Sequence, residues 1–196
     1  MRNLFICTVL SAFCLYSCNN TADNGQGKKT DSTAVTHIMQ PKSKLDDAGT
    51  QKLMAVVNNY YDLKNALVAT NAGKADAAAN KLIAAAGSMQ EAFAKDSANG
   101  QTLKPFLDTI VTESKAMTSM MDEGCEKKRV NFEKISGAMF AMLKQADLKN
   151  AGIYREYCPM AFNEKGAYWL SNDPEIKNPY FGEKMLECGE VTDSLK

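Results

Sequence analysis

Two short segments near the C-terminus carry the residue types best suited to chemistry: Cys158-Pro159-Met160 and Met185-Leu186-Glu187-Cys188. In an extended stretch, residues two apart face the same side, so Cys158 and Met160 are expected to point together. In a helical turn, residues three apart share a face, which joins Met185 to Cys188. If the segments meet, two thiolates and two thioethers converge. That soft donor set selects Cu(I) or Ag(I) over zinc, calcium or magnesium, which want imidazole or oxygen. Trp169 is expected to cap such a cation through its ring face, and Tyr157 to help shield it. The same cysteines also fit a structural disulfide. Closing a 30-residue loop would then contribute roughly 3–4 kcal/mol, with Met160 and Met185 as packing.

The remaining composition narrows the chemistry further. The chain holds six cysteines, eleven methionines and one histidine in 196 residues. A single imidazole, His37, excludes multi-histidine zinc sites and leaves little room for Ser-His-Asp or Cys-His catalysis. No enzymatic activity is expected. Lysine plus arginine equals aspartate plus glutamate at 23 each, so no net field holds nucleic acid. The methionines at helical spacing (Met117, Met120, Met121, Met139, Met142) read as core filler. Cys125 reads as a packed, leftover thiol. The run Glu126-Lys127-Lys128-Arg129 reads as a solvated face. The acidic pairs Asp46-Asp47 and Asp122-Glu123 fall at helix ends, where they complement the dipole.

These residues need elements to hold them. Leu53, Val56, Val57, Tyr60, Leu63 and Leu67 follow a three-and-four spacing, as do Ala75, Ala79, Leu82, Ala86, Met89 and Phe93. A third set is Phe106, Leu107, Ile110, Val111, Met117 and Met121, with Pro105 in a first turn capped by Thr102. A fourth is Phe132, Ile135, Met139, Met142, Leu143 and Ala146. Breaks at 71–73, 97–101 and 122–124 are short, which predicts an up-down-up-down four-helix bundle, a mainly α fold. After Gly152 the chain turns aromatic and turn-rich. Ile153 to Phe162 and Ala167 to Leu170 are expected as a β-hairpin in a small, partly irregular lobe (about 153–191) packed on the bundle. The predicted globular domain is thus 47–196.

The N-terminus begins with one positive charge, Arg2, and a nearly continuous apolar run from Leu4 to Tyr16. That is a secretory h-region, too short for a comfortable membrane span. Leu15-Tyr16-Ser17-Cys18 resembles the bacterial lipobox. It implies a lipoprotein signal peptide over 1–17 and a lipidated Cys18 anchoring the chain to a membrane. Residues 18–46 are polar and read as a flexible tether. The expected location is the bacterial cell envelope. Asn19-Asn20 carries no acidic retention signal, which points to the outer membrane facing the periplasm.

The C-terminal motifs also carry a family likeness. Tyr157 to Phe162, Gly166 to Ser171, Ile176 to Gly182 and Met185 to Gly189 resemble the signature of the bacterial domain of unknown function numbered 3347. Arg129, Phe132 and Ser136 resemble its pattern on the last helix, and the likeness spans about residues 50–191. The resemblance implies a small envelope lipoprotein. It also implies a link to periplasmic heavy-metal efflux systems of the copper/silver type, where the same domain ends the adaptor subunits. The hairpin, lipoyl-like and barrel regions of such adaptors are lacking in this sequence. The expected function is binding or buffering of a soft metal ion, with Cys158, Met160, Met185 and Cys188 as the expected ligands. The alternative is a non-catalytic interaction module locked by a Cys158–Cys188 disulfide.

Overall fold

The computed structural model describes residues 40–94 and 97–195. The expected leader, Cys18, His37 and the tether as far as residue 39 lie outside the described residues. Four helices follow one another: α1 (Asp47–Val68), α2 (Ala72–Phe93), α3 (Ser97–Thr118) and α4 (Glu126–Gln145). The first two start where side chains satisfy orphan amides. Asp46 accepts from the Gly49 amide at 2.7 Å and Asn71 from the Lys74 amide at 2.8 Å. The fourth starts differently. Cys125 precedes it in a left-handed conformation without a capping side chain, and Asp122 Oδ2 accepts from the Lys128 amide at 2.9 Å instead.

The periodic positions of α1, α2 and α4 are buried as their spacing predicts. Three details of the sequence reading are corrected. α3 starts at Ser97, so Thr102 and Pro105 lie inside it. The Thr102 hydroxyl donates back to the Ala98 and Asn99 carbonyls, which a helical residue does and a cap does not. Met121 is fully exposed rather than core, because α3 ends at Thr118. Lys42 pairs with Lys149 as an isolated bridge, and Leu45 is buried. The ordered structure therefore reaches back before residue 47.

The charge run also departs from a solvated face, since Lys128 and Arg129 are buried. Lys128 Nζ binds Asp76 Oδ1 at 2.6 Å and the Met117 and Met120 carbonyls at 2.9 and 3.0 Å. It thus satisfies the C-terminal end of α3, where carbonyls lack intrahelical partners. Arg129 donates to the Leu67, Gly124 and Pro179 carbonyls and to the Thr70 hydroxyl. One side chain fastens the end of α1, the start of α4 and the C-terminal lobe.

Consecutive helices pack side by side, whereas the backbones of α1 and α4 stand further apart, joined by the Tyr60 hydroxyl on Ser136 Oγ at 2.8 Å. Aromatic side chains span that opening. Tyr60 stacks on Phe132 with centroids 5.2 Å apart, and Phe132 meets Tyr180 of the lobe at 5.9 Å. The lobe is a three-stranded antiparallel sheet in the order β2-β1-β3. Its strands are β1 (Ile153–Cys158), β2 (Ala167–Ser171) and β3 (Glu190–Leu195). The hairpin β1–β2 matches the sequence expectation, and β3 extends it. The outer edge of β2 is covered by tyrosines: the Leu170 amide donates to Tyr60 Oη and Tyr180 Oη donates to the Tyr168 carbonyl. An edge satisfied in this way is closed to further strand pairing.

Candidate sulfur site

β1 carries inward-facing residues at Glu156 and Cys158, both buried, and it stops at Cys158. Pro159 and Met160 leave the sheet, Met160 having a helical backbone before the irregular turn Ala161–Glu164. The extended geometry that would aim Cys158 and Met160 together therefore ends one residue too early. Met160 is 47% exposed while Cys158 is buried. Three consecutive non-glycine residues of the turn, Phe162, Asn163 and Glu164, hold positive φ of 52°, 57° and 66°. Residues in this sparsely populated region persist only where the surroundings fix them.

Cys188 arrives from the other side. A 3₁₀ turn, Gly182–Met185, precedes it, and the Cys188 amide donates to the Met185 carbonyl at 3.2 Å. Asn178, fully buried, organises this segment. Its Nδ2 donates to the Cys188 carbonyl at 2.8 Å, its Oδ1 accepts from the Tyr180 amide at 2.8 Å, and its own amide donates to the Leu186 carbonyl. Gly189 lets the chain pass over the Trp169 ring; a Cβ there would sit 2.9 Å from both that ring and the Tyr157 carbonyl. The two elements deliver Cys158 Sγ and Cys188 Sγ to 3.1 Å from each other. Contact with Cys158, with burial second, pushes the Cys188 thiol up, and the Met160 amide opposes this.

The other expected site residues lie around this pair. Met160 and Met185 line one groove of about 480 Å³, together with Phe162, Phe181, Glu164 and Lys184. The cysteines are not among its lining residues. Trp169 is buried beneath Gly189 and meets Tyr180 edge-on at 5.8 Å. Tyr157 alternates with Cys158 along β1, which puts its ring on the opposite face of the sheet; there it packs on Tyr168 at 4.5 Å. The structure thus joins the two thiols, and joins the two thioethers separately in the adjoining groove.

The distance of 3.1 Å bears on both chemistries. Metal–thiolate bonds of ~2.3 Å would hold two sulfurs about 3.8 Å apart at a tetrahedral centre and about 4.6 Å apart at a linear one. A disulfide draws them to ~2.05 Å. A small opening of the pair admits a metal ion, and a small closing forms the bond. Among the described residues no group of three or more His, Cys, Asp or Glu could hold a metal ion. The donors at hand are thiolate and thioether only, which suits a soft ion and not zinc.

A second polar group, unmarked by any motif, sits one step along the same face. Glu156 is fully buried, and no well-aligned hydrogen bond reaches its carboxylate, although the Trp169 and Ser171 side chains lie close enough to favour its charged form weakly. Burial lifts its pKa to about 7, opposed chiefly by Lys64. Lys64 comes from α1 and donates to Ser171 Oγ at 3.3 Å; burial lowers its own pKa. The sequence signal for Glu156 was its position two residues before Cys158. Asn178 gave none, as an Asn-Pro pair reads simply as a turn.

The architecture defines a class: a helical bundle opened between its first and last helices and closed by a small sulfur-bearing sheet. Residues 56–151 of the chain match the model of the family described as Protein of unknown function (DUF3347). The matched stretch covers most of the four helices and ends just before β1. The sulfur-bearing lobe lies outside it. No curated protein and no solved structure matches the chain. Among the described residues no helix is long and apolar enough to cross a membrane.

Proposed function

We propose that this is a lipid-anchored protein of the bacterial cell envelope that binds or buffers a soft metal ion, Cu(I) foremost and Ag(I) next, in support of heavy-metal efflux or homeostasis. The observation that carries this reading is the pair of thiols 3.1 Å apart, one of them half-buried at the surface of the lobe. Cys158 and Cys188 are the primary ligands, because thiolates are the strongest soft donors in the lobe. Met160 and Met185 stand beside them as weaker thioether donors for an arriving ion. Cys18, as the acylated residue, keeps the domain at the outer membrane facing the periplasm. Components of a heavy-metal efflux system are its partners.

Titration of the reduced protein lacking residues 1–18 with Cu(I), against a competing chelator, tests this. One tightly bound equivalent per chain is expected, weakened at least 100-fold by Cys158→Ser and less by Met160→Leu. Equal, weak binding by all three proteins overturns it. The same proximity favours a second reading, a non-catalytic interaction module whose lobe is locked by a Cys158–Cys188 disulfide. A quantitative disulfide in the protein isolated from its envelope, resistant to mild reductant, would favour that one.

A further inference from the structure

The two sulfurs are not equivalent. Cys158 ends a strand and is buried, whereas Cys188 is half-buried on a loop. Met160 and Met185, near neighbours of the two cysteines in sequence, border the groove of about 480 Å³. Attack by a thiolate on a disulfide needs an accessible first sulfur and a second thiol within reach of the mixed disulfide. From this asymmetry the geometry points to a further activity: Cys188 and Cys158 form an attacking and resolving thiol pair that exchanges with small peptide disulfides, the flanking residues of the peptide seating in the adjoining Met160–Met185 groove. It does not rest on metal binding.

The reaction balances within the pair and its substrate. Cys188 gives its proton to solvent, and its thiolate attacks one sulfur of R–S–S–R′. A Cys188–S–S–R bond forms, and R′–S⁻ leaves and takes a proton from solvent. Cys158 then loses its proton, attacks the Cys188 sulfur from 3.1 Å away and expels R–S⁻. Two electrons pass from the pair to the substrate disulfide, leaving Cys158–Cys188 oxidised. The groove sets the substrate class: apolar walls from Phe162 and Phe181, with a carboxylate at Glu164 and an ammonium at Lys184. A short peptide with charged ends of both signs fits it. Oxidation also consumes both thiolates, so it removes them as metal ligands.

Oxidised glutathione is the probe, added to the reduced full chain, with peptide mapping by mass spectrometry. The wild type is expected to release two thiol equivalents per chain and end with the Cys158–Cys188 disulfide and no lasting adduct. Cys158→Ser should stop at a glutathione adduct on Cys188. Cys188→Ser should modify Cys158 at least 10-fold more slowly than that. Alkylation of the unsubstituted protein by iodoacetamide reads the same order without any variant, Cys188 reacting first. A wild type that does not react, an adduct that persists on it, or equal reactivity of the two cysteines overturns the proposal. Cu(I) binding by the reduced protein is measured apart, so either outcome can fail alone.

Discussion

Glu156 lies in the core without a well-aligned hydrogen bond, on the same sheet face as Cys158. Its pKa rises from 4.5 to about 7 because burial penalises the charged form more than Lys64 favours it. The native state therefore holds the proton more tightly than the unfolded chain. The resulting stability is full below pH 4.5, declines as pH rises through 7, and is gone above it. The difference is on the order of 3 kcal/mol at 1.36 kcal/mol per pKa unit. Urea unfolding of the reduced protein should show this decline between pH 5 and 8, and Glu156→Gln should flatten it. Parallel profiles for the two proteins would remove Glu156 as the source. Asn178 matters at the same scale, since its side chain holds both the Cys188 carbonyl and the Tyr180 amide.

Among elements, the helices were legible because a 3.6-residue period repeats over many turns and outweighs local ambiguity. Tyr60, Met89 and Met139 fall on that period and are buried. The start of α3 was not legible, because Thr102 is a competent cap ahead of Pro105, yet the helix already runs from Ser97. β3 escaped detection since Glu190 to Ser194 are polar or exposed and pair with β1 through the backbone. The thiol pair could be proposed from spacing, but not the turn that carries Met160 away from Cys158. Lys128 and Arg129 were hidden for another reason: charged residues are buried only when carbonyls need donors, which no local pattern reveals. Arg129 reaches four acceptors from three separate nitrogens, a spread that its planar fork provides and the single nitrogen of a lysine in its place does not. Arg129→Lys should cost about 2–3 kcal/mol in urea unfolding, while Lys127→Ala, at an exposed neighbour, should stay within about 0.5 kcal/mol. Equal effects would mean that the α1–α4–lobe junction contributes little.

For the whole molecule, the family match and the physical unit have different boundaries. The match stops at residue 151, yet the bundle to that point leaves the backbones of α1 and α4 apart, joined mainly through Tyr60. The Tyr60 and Phe132 rings lie in that opening, and Leu170, Trp169 and Tyr180 from the lobe complete the surrounding core. Removing the lobe uncovers these rings and takes one partner from the Tyr60 hydroxyl, leaving Ser136, and one from the Arg129 guanidinium, leaving its Nε unpaired. Buried polar groups that lose their partners, together with newly exposed aromatic surface, favour a loosely packed state over a closed bundle. Residues 40–151 should therefore keep much of their helical far-ultraviolet circular dichroism but lose near-ultraviolet signal and bind a hydrophobic dye. Residues 40–195 should do neither. A truncated chain with sharp, cooperative unfolding would instead make the bundle an independent domain and the sulfur-bearing sheet an appendage. The expected dependence has a consequence for the cysteines: a lobe that closes the bundle couples any rearrangement at Cys158 and Cys188 to the packing of α1 against α4.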